Sequence, residues 1–128
     1  MHKSYEDLKV WRKSRGLAGR IYNITRVFPK EEQFGMTTQM RRSAVSVPSN
    51  IAEGCGRNQY GEFLQFLGIA SGSLAELHTQ LLIASDVGLL AESELNVLEQ
   101  EIVTIGKMLS GLKNSIKQSK RIPVTNNQ

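Results

Sequence analysis

Residues able to do chemistry are few in this 128-residue chain. Cys55 stands in Gly54-Cys55-Gly56-Arg57, a run that superficially resembles a phosphate loop. It lacks both the preceding strand and the Gly-Lys-Ser/Thr ending that a phosphate cradle needs. A thiol also needs a neighbouring base to become a nucleophile, and no histidine lies near Cys55 in sequence. His2 and His78 are far apart, so with Cys55 they match no zinc-ligand spacing. Glu31/Glu32 and Glu99/Glu101 read as helix-surface acids, without the Glu-x-x-His spacing of a metal-carrying bundle. The expectation is no enzyme, no metal and no cofactor.

Cations are the remaining chemical resource. All sixteen Lys and Arg lie outside Asn58–Gly106, a window whose seven acids give it −7. The rest of the chain, with sixteen bases and five acids, carries +11, and the total is +4. Clustered Lys and Arg release condensed counterions when they meet phosphates, which makes a nucleic-acid backbone the leading anionic partner. No aromatic platform for unstacked bases is evident, so base-specific reading is not expected.

Four helices must position these groups. Leu8, Trp11, Leu17, Ile21, Ile24 and Phe28 line one helical face over about residues 6–28, capped by Ser4 through the amide of Asp7 and stopped by Pro29. Met36, Met40, Ala44, Val47 and Ile51 stripe a second helix over about 37–55. Pro48 should kink this helix rather than end it, and Gly54 and Gly56 should supply its end and a tight turn. Asn58 is the expected N-cap of a third helix reaching Val87, striped by Phe63, Phe66, Leu67, Ala70, Leu74, Leu77, Leu81 and Ala84, with Gly88 ending it. Leu95, Leu98, Ile102, Ile105, Leu109, Leu112 and Ile116 form a near-heptad seam over about 92–119. The fold expected is all-α, an antiparallel up-down-up-down four-helix bundle over 1–119, followed by a mobile tail from Lys120 to Gln128. No apolar run approaches a membrane span, one cysteine excludes an internal disulfide, and the first ten residues lack a signal-peptide core. A cytoplasmic setting is expected.

Up-down topology gathers the start of the first helix and the ends of the second and fourth at one pole. Lys3, Lys9, Arg12, Lys13, Arg57, Lys113, Lys117, Lys120 and Arg121 belong there, and Lys9, Arg12, Lys13, Arg57, Lys113 and Lys117 are the candidate phosphate contacts. Asp86, Glu92, Glu94, Glu99 and Glu101 belong to the other pole, diluted by Arg26 and Lys30. The second helix also carries a stripe of Gln39, Arg42, Ser46, Ser49, Glu53 and Arg57, accompanied by Ser43 and Asn50. Such small polar groups suit a subunit contact or a polar network formed by Arg42, Ser46, Asn50 and Glu53. Gly68, Gly72, Ala75 and Thr79 leave the third helix a stripe without bulk. Each mid-helix glycine costs ~1 kcal/mol relative to alanine, which close approach of another helix would offset, inside the bundle or from a second subunit.

Gln39-Met40-Arg41-Arg42-Ser43-Ala44-Val45-Ser46-Val47-Pro48-Ser49-Asn50-Ile51-Ala52-Glu53-Gly54, followed by Arg57, resembles the central signature of the four-helix-bundle proteins encoded in 23S rRNA intervening sequences. Leu8 to Ser14, Phe28 to Gly35, Phe66-Leu67, Gly72 to Leu77 and Thr79 to Leu81 resemble that family too. Ser43 departs from its usual alanine. The resemblance spans about Tyr5 to Gln118. It implies a four-helix fold, ring-like homopentamers and no established enzymatic activity. It also implies a likeness in fold to the accessory variability proteins of diversity-generating retroelements, basic pentamers that bind nucleic acid and a reverse transcriptase. The expected function is therefore a non-enzymatic oligomer that binds RNA or DNA through basic poles. The alternative is a protein-interaction scaffold, meeting a partner protein or other rings, with no nucleic-acid role.

Overall fold

A computed structural model describes residues 4–121, without the side chains of Lys120 and Arg121. Four helices carry the fold: α1 (Lys9–Thr25), α2 (Met36–Cys55), α3 (Tyr60–Asp86) and α4 (Glu92–Arg121), with 3-10 turns at Tyr5–Asp7 and Lys30–Glu32. No strand occurs among the described residues. Cross-links between helices fix the directions. Arg41 of α2 meets Thr25 of α1, Gly54 of α2 faces Phe63 and Phe66 of α3, His78 of α3 meets Glu99 of α4, and Arg20 of α1 meets Glu101 of α4. Second contacts, Ser46 to Ser73 and Lys113 to Ser71, show that α2/α3 and α3/α4 run antiparallel. The α1/α3 and α2/α4 pairs lie on the diagonals of the bundle.

The apolar stripes face inward. Leu17, Ile21, Met40, Val47, Ile51, Phe63, Leu67, Leu77, Leu81, Ile105 and Leu109 are almost fully buried, and Trp11, Ile24, Met36 and Leu112 pack at the margin. Helix α2 continues through Pro48, whose neighbours Ala44, Val47 and Ile51 stay in phase on the buried side. At the end of α3, the amide of Leu89 donates to Ala84 O (2.8 Å) and that of Gly88 to Ser85 O (3.2 Å). This Schellman closure needs the left-handed φ of +82° that Gly88 adopts.

Several local expectations are corrected. Leu8 is extended, so α1 starts only at Lys9 and ends at Thr25. Ser4 Oγ accepts from the amide of Glu6 rather than Asp7, and caps the 3-10 turn instead of the helix. Gln59, with no side-chain cap bond, takes the N-cap position of α3 expected for Asn58. Gly54 is not a turn residue but lies inside α2. A Cβ there would fall 2.8 Å from Phe66 Cβ and 2.9 Å from Phe63 Cδ1, so its missing side chain lets α2 and α3 close on each other. Helix α4 runs on to Arg121, and the rest of the expected tail lies outside the described residues.

Candidate nucleic-acid interface

Helix α1 holds five cations (Lys9, Arg12, Lys13, Arg15 and Arg20) and no acid. All five are exposed, because Val10, Ser14, Leu17, Ala18 and Ile21 claim the inner face. Lys9 and Lys13 are one turn apart, and Arg12 sits beside Lys13. Arg12 and Lys13, with Gly16 and Arg20, border a groove against Gln100 and Thr104 of α4. Arg20 Nε spans this groove to Glu101 Oε2 at 2.7 Å, while Arg12 Nη1 donates to Glu6 O at 2.7 Å. Lys9, Arg12, Lys13 and Arg15 form no ion pair among the described residues. Glu6 and Asp7, both exposed, precede them on the 3-10 turn.

The other expected contacts lie on other segments of the chain and have partners of their own. Lys113, half-buried, donates to Ser71 Oγ on α3 at 2.8 Å, and exposed Lys117 follows it one turn later. Arg57 is engaged within the chain. Its Nη2 lies 2.8 Å from Glu53 Oε2, its Nη1 3.7 Å from Glu62 Oε1, and its guanidinium stacks over the Phe66 ring at 5.0 Å. Those neighbours offset its charge, so Arg57 is a poorer phosphate ligand than Arg12 or Lys13. Lys3 and the side chains of Lys120 and Arg121 lie outside the described residues. What stands free of carboxylate partners is the cationic α1 face, whereas Arg57 is ion-paired and Lys113 is hydrogen-bonded.

The polar stripe of α2 also resolves. Ser46 Oγ and Ser73 Oγ of α3 are 2.8 Å apart, and Asn50 Nδ2 donates to Ser46 O (2.8 Å) and Ser46 Oγ (2.9 Å). Ser46 and Asn50 thus belong to a network within the chain, and Glu53 is the partner of Arg57. Arg42 is exposed and forms no ion pair among the described residues. On α3, a Cβ at Gly68 or Gly72 would meet nothing within 4 Å, so neither glycine serves contact inside the bundle.

Two groups weighed for chemistry have structural settings. His78 Nε2 is 2.7 Å from Glu99 Oε2, tying α3 to α4. Cys55 is buried, and that burial, followed by the charge of Asp7, pushes its thiol pKa up. The thiolate is the reactive form. The folded protein should therefore stay unlabelled by a thiol-reactive disulfide at pH 7 and react once unfolded. Rapid stoichiometric labelling of the fully helical protein would contradict this setting.

The profile of the 23S rRNA-intervening sequence protein family matches residues 6–111. Among solved structures, the chain is similar to a Bacteroides thetaiotaomicron protein of unknown function from the S23 ribosomal protein family. Identity is 24%, the match covers 82% of this chain and 95% of that one, and the TM-score is 0.77. That likeness shows the fold. No curated protein matches the chain in sequence.

Proposed function

The chain belongs to the 23S rRNA-intervening sequence protein family, and from that premise we propose a non-enzymatic, self-associating helical protein whose α1 face holds the backbone of RNA or DNA. One observation carries the reading: five exposed cations on a helix without an acid, four of them forming no ion pair among the described residues. A surface evolved only for solubility mixes both signs. Here the like charges of Lys9, Arg12 and Lys13 repel one another until a polyanion arrives, and its phosphates release counterions as they bind. Lys113 and Lys117 extend the cationic end on α4. No described helix is long and apolar enough to cross a membrane.

Self-association rests on the outward face of α3. Its 27 residues include no Lys or Arg, and its exposed side includes Gly68, Gly72, Ala75 and Thr79 beside the apolar Ile69, Leu82 and Ile83. Family resemblance gives a homopentamer as the assembly, and multiplying a modest basic patch raises its avidity. Gly68→Ala/Gly72→Ala separates a contact from a free surface. In an isolated protomer both substitutions should raise stability, by ~1–2 kcal/mol together, since helix propensity improves and nothing is struck. If copies meet along this stripe, the double variant should instead lower the sedimenting mass. Unchanged mass with raised stability would remove α3 from the interface.

The direct test of the nucleic-acid reading is affinity purification with and without nuclease, paired with Arg12→Glu/Lys13→Glu. Co-purifying nucleic acid that disappears in the variant supports it. A partner protein retained through nuclease treatment, by wild type and variant alike, would favour the scaffold instead.

A further inference from the structure

The seam between α1 and α2, at the end of the bundle away from Lys9, contains a second charged feature. Tyr22, Thr38, Arg41, Arg42, Val45 and Ser46 line a concavity of about 400 Å³. Arg41 is half-buried in its wall and held on three sides. Its Nε donates to Thr25 Oγ1 at 2.9 Å, its Nη2 to Tyr22 O at 3.4 Å, and its guanidinium carbon lies 4.5 Å from the centre of the Tyr22 ring. Every one of these partners is neutral. Thr25 Oγ1 is itself anchored, donating to Ile21 O at 2.7 Å, so the acceptor that orients Arg41 is rigid. Arg42, the next residue, has no carboxylate within ion-pair distance among the described residues, and neither has Arg41.

We propose that Arg41 and Arg42 form a binding site for a small phosphate-monoester ligand in the α1–α2 seam. A guanidinium carries five N–H donors in a planar fork, and the two bonds that fix Arg41 leave three to spare. Glu76 borders a neighbouring hollow with Arg42 but makes no ion pair with it. Two adjacent guanidiniums with no carboxylate in ion-pair distance repel, and a ligand of charge near −2 offsets both. A phosphate monoester carries about −1.5 to −2 at neutral pH. A carboxylate, with one charge and two oxygens, is satisfied by a single fork and leaves the second arginine uncompensated. Ser46 also lines the concavity, but its hydroxyl accepts from Asn50 and shares a hydrogen bond with Ser73, so the two guanidiniums carry the recognition. Thr38 Oγ1 is already committed to Gln33 O, and Val45 forms an apolar wall. The stacked Arg41 covers one face of Tyr22, so recognition rests on the phosphate rather than on a ring stacked against that face.

Inorganic phosphate, titrated against the whole protein while the Arg41 side-chain Nε–H resonance is followed by NMR, tests the site. Saturable movement of that resonance is expected. Arg42→Ala should weaken the binding about tenfold or more, with unchanged helicity because Arg42 is exposed. Arg41→Lys, which keeps the charge but loses the fork, should weaken it too. Arg12→Glu/Lys13→Glu should leave the phosphate titration intact, and Arg42→Ala should leave most RNA affinity intact, so failure of one site is distinguishable from failure of the other. An unmoved Arg41 resonance at millimolar phosphate would overturn the proposal. So would an Arg42→Ala protein of altered sedimenting mass whose wild type ignores phosphate, because a carboxylate from a second copy would then occupy the seam.

Discussion

Charge reversal at Arg12 and Lys13 should weaken RNA binding by on the order of 100-fold at 0.1 M salt, leaving the fold in place. Each phosphate contact to a single strand releases about 0.7 counterion, worth roughly fivefold in affinity at that salt. Losing two contacts accounts for about 25-fold, and the repulsion of two new carboxylates supplies the remainder. The neutral pair Arg12→Gln/Lys13→Gln should fall between, at about 25-fold. Both side chains are exposed, and the single described bond between them is Arg12 to Glu6 O, so the stability change should stay within about 0.5 kcal/mol. Fluorescence anisotropy with a labelled oligonucleotide reads the first effect and circular dichroism the second. Equal affinity for wild type and both variants would remove α1 from the interface.

Gly54→Ala should have the largest effect on stability among conservative substitutions. The added methyl would sit 2.8 Å from Phe66 Cβ and 2.9 Å from Phe63 Cδ1, closer than real Cβ contacts come, and a tight 3.3 Å from Phe63 O. Phe63 is fully buried, so its ring has no room to retreat. Overpacking of this kind costs ~1–3 kcal/mol, and two contacts under 3 Å place Gly54 at the upper end, about 2 kcal/mol net of the ~1 kcal/mol that alanine gains in helix propensity. A Tm lower by roughly 5–10 °C is expected, with a larger drop for Gly54→Val. An unchanged or raised Tm would mean that α2 and α3 do not approach closely at this point. The opposite sign expected for alanine at Gly68 in a free protomer makes the pair informative, since both are helical glycines and Gly54 faces two phenylalanines where Gly68 faces nothing within 4 Å.

These contrasts show where one-dimensional reading reaches its limit. The seam from Leu95 to Ile116 was fully legible, because a heptad reports burial from spacing alone and every member lies in the core or at its margin. The stripe of α2 was legible through Pro48 for the same reason. Gly54 reads as a turn residue because a second glycine follows two positions later, and its actual task depends on two phenylalanines of the next helix. The stripe of Arg42, Ser46, Asn50 and Glu53 was visible as unusual, but its direction was not. Ser46 turns to Ser73, 27 residues away, and no spacing within α2 encodes that. Arg57 had a readable clue in Glu53 four residues earlier, the spacing that pairs acid with base on one helix face. Arg41 had none, since its orientation comes from Tyr22 and Thr25 on a different helix. Charge sign and the cations of α1 are legible along the chain, whereas which cations are engaged by partners needed the fold.

The salt dependence of RNA affinity probes the cationic face most directly. With Lys9, Arg12 and Lys13 each meeting a phosphate, the logarithm of affinity should fall with the logarithm of salt at a slope of about −2 per engaged chain. Arg12→Glu/Lys13→Glu should flatten that slope by at least about 1.4. A slope near zero, or one that the double variant leaves unaltered, would contradict phosphate binding by this helix.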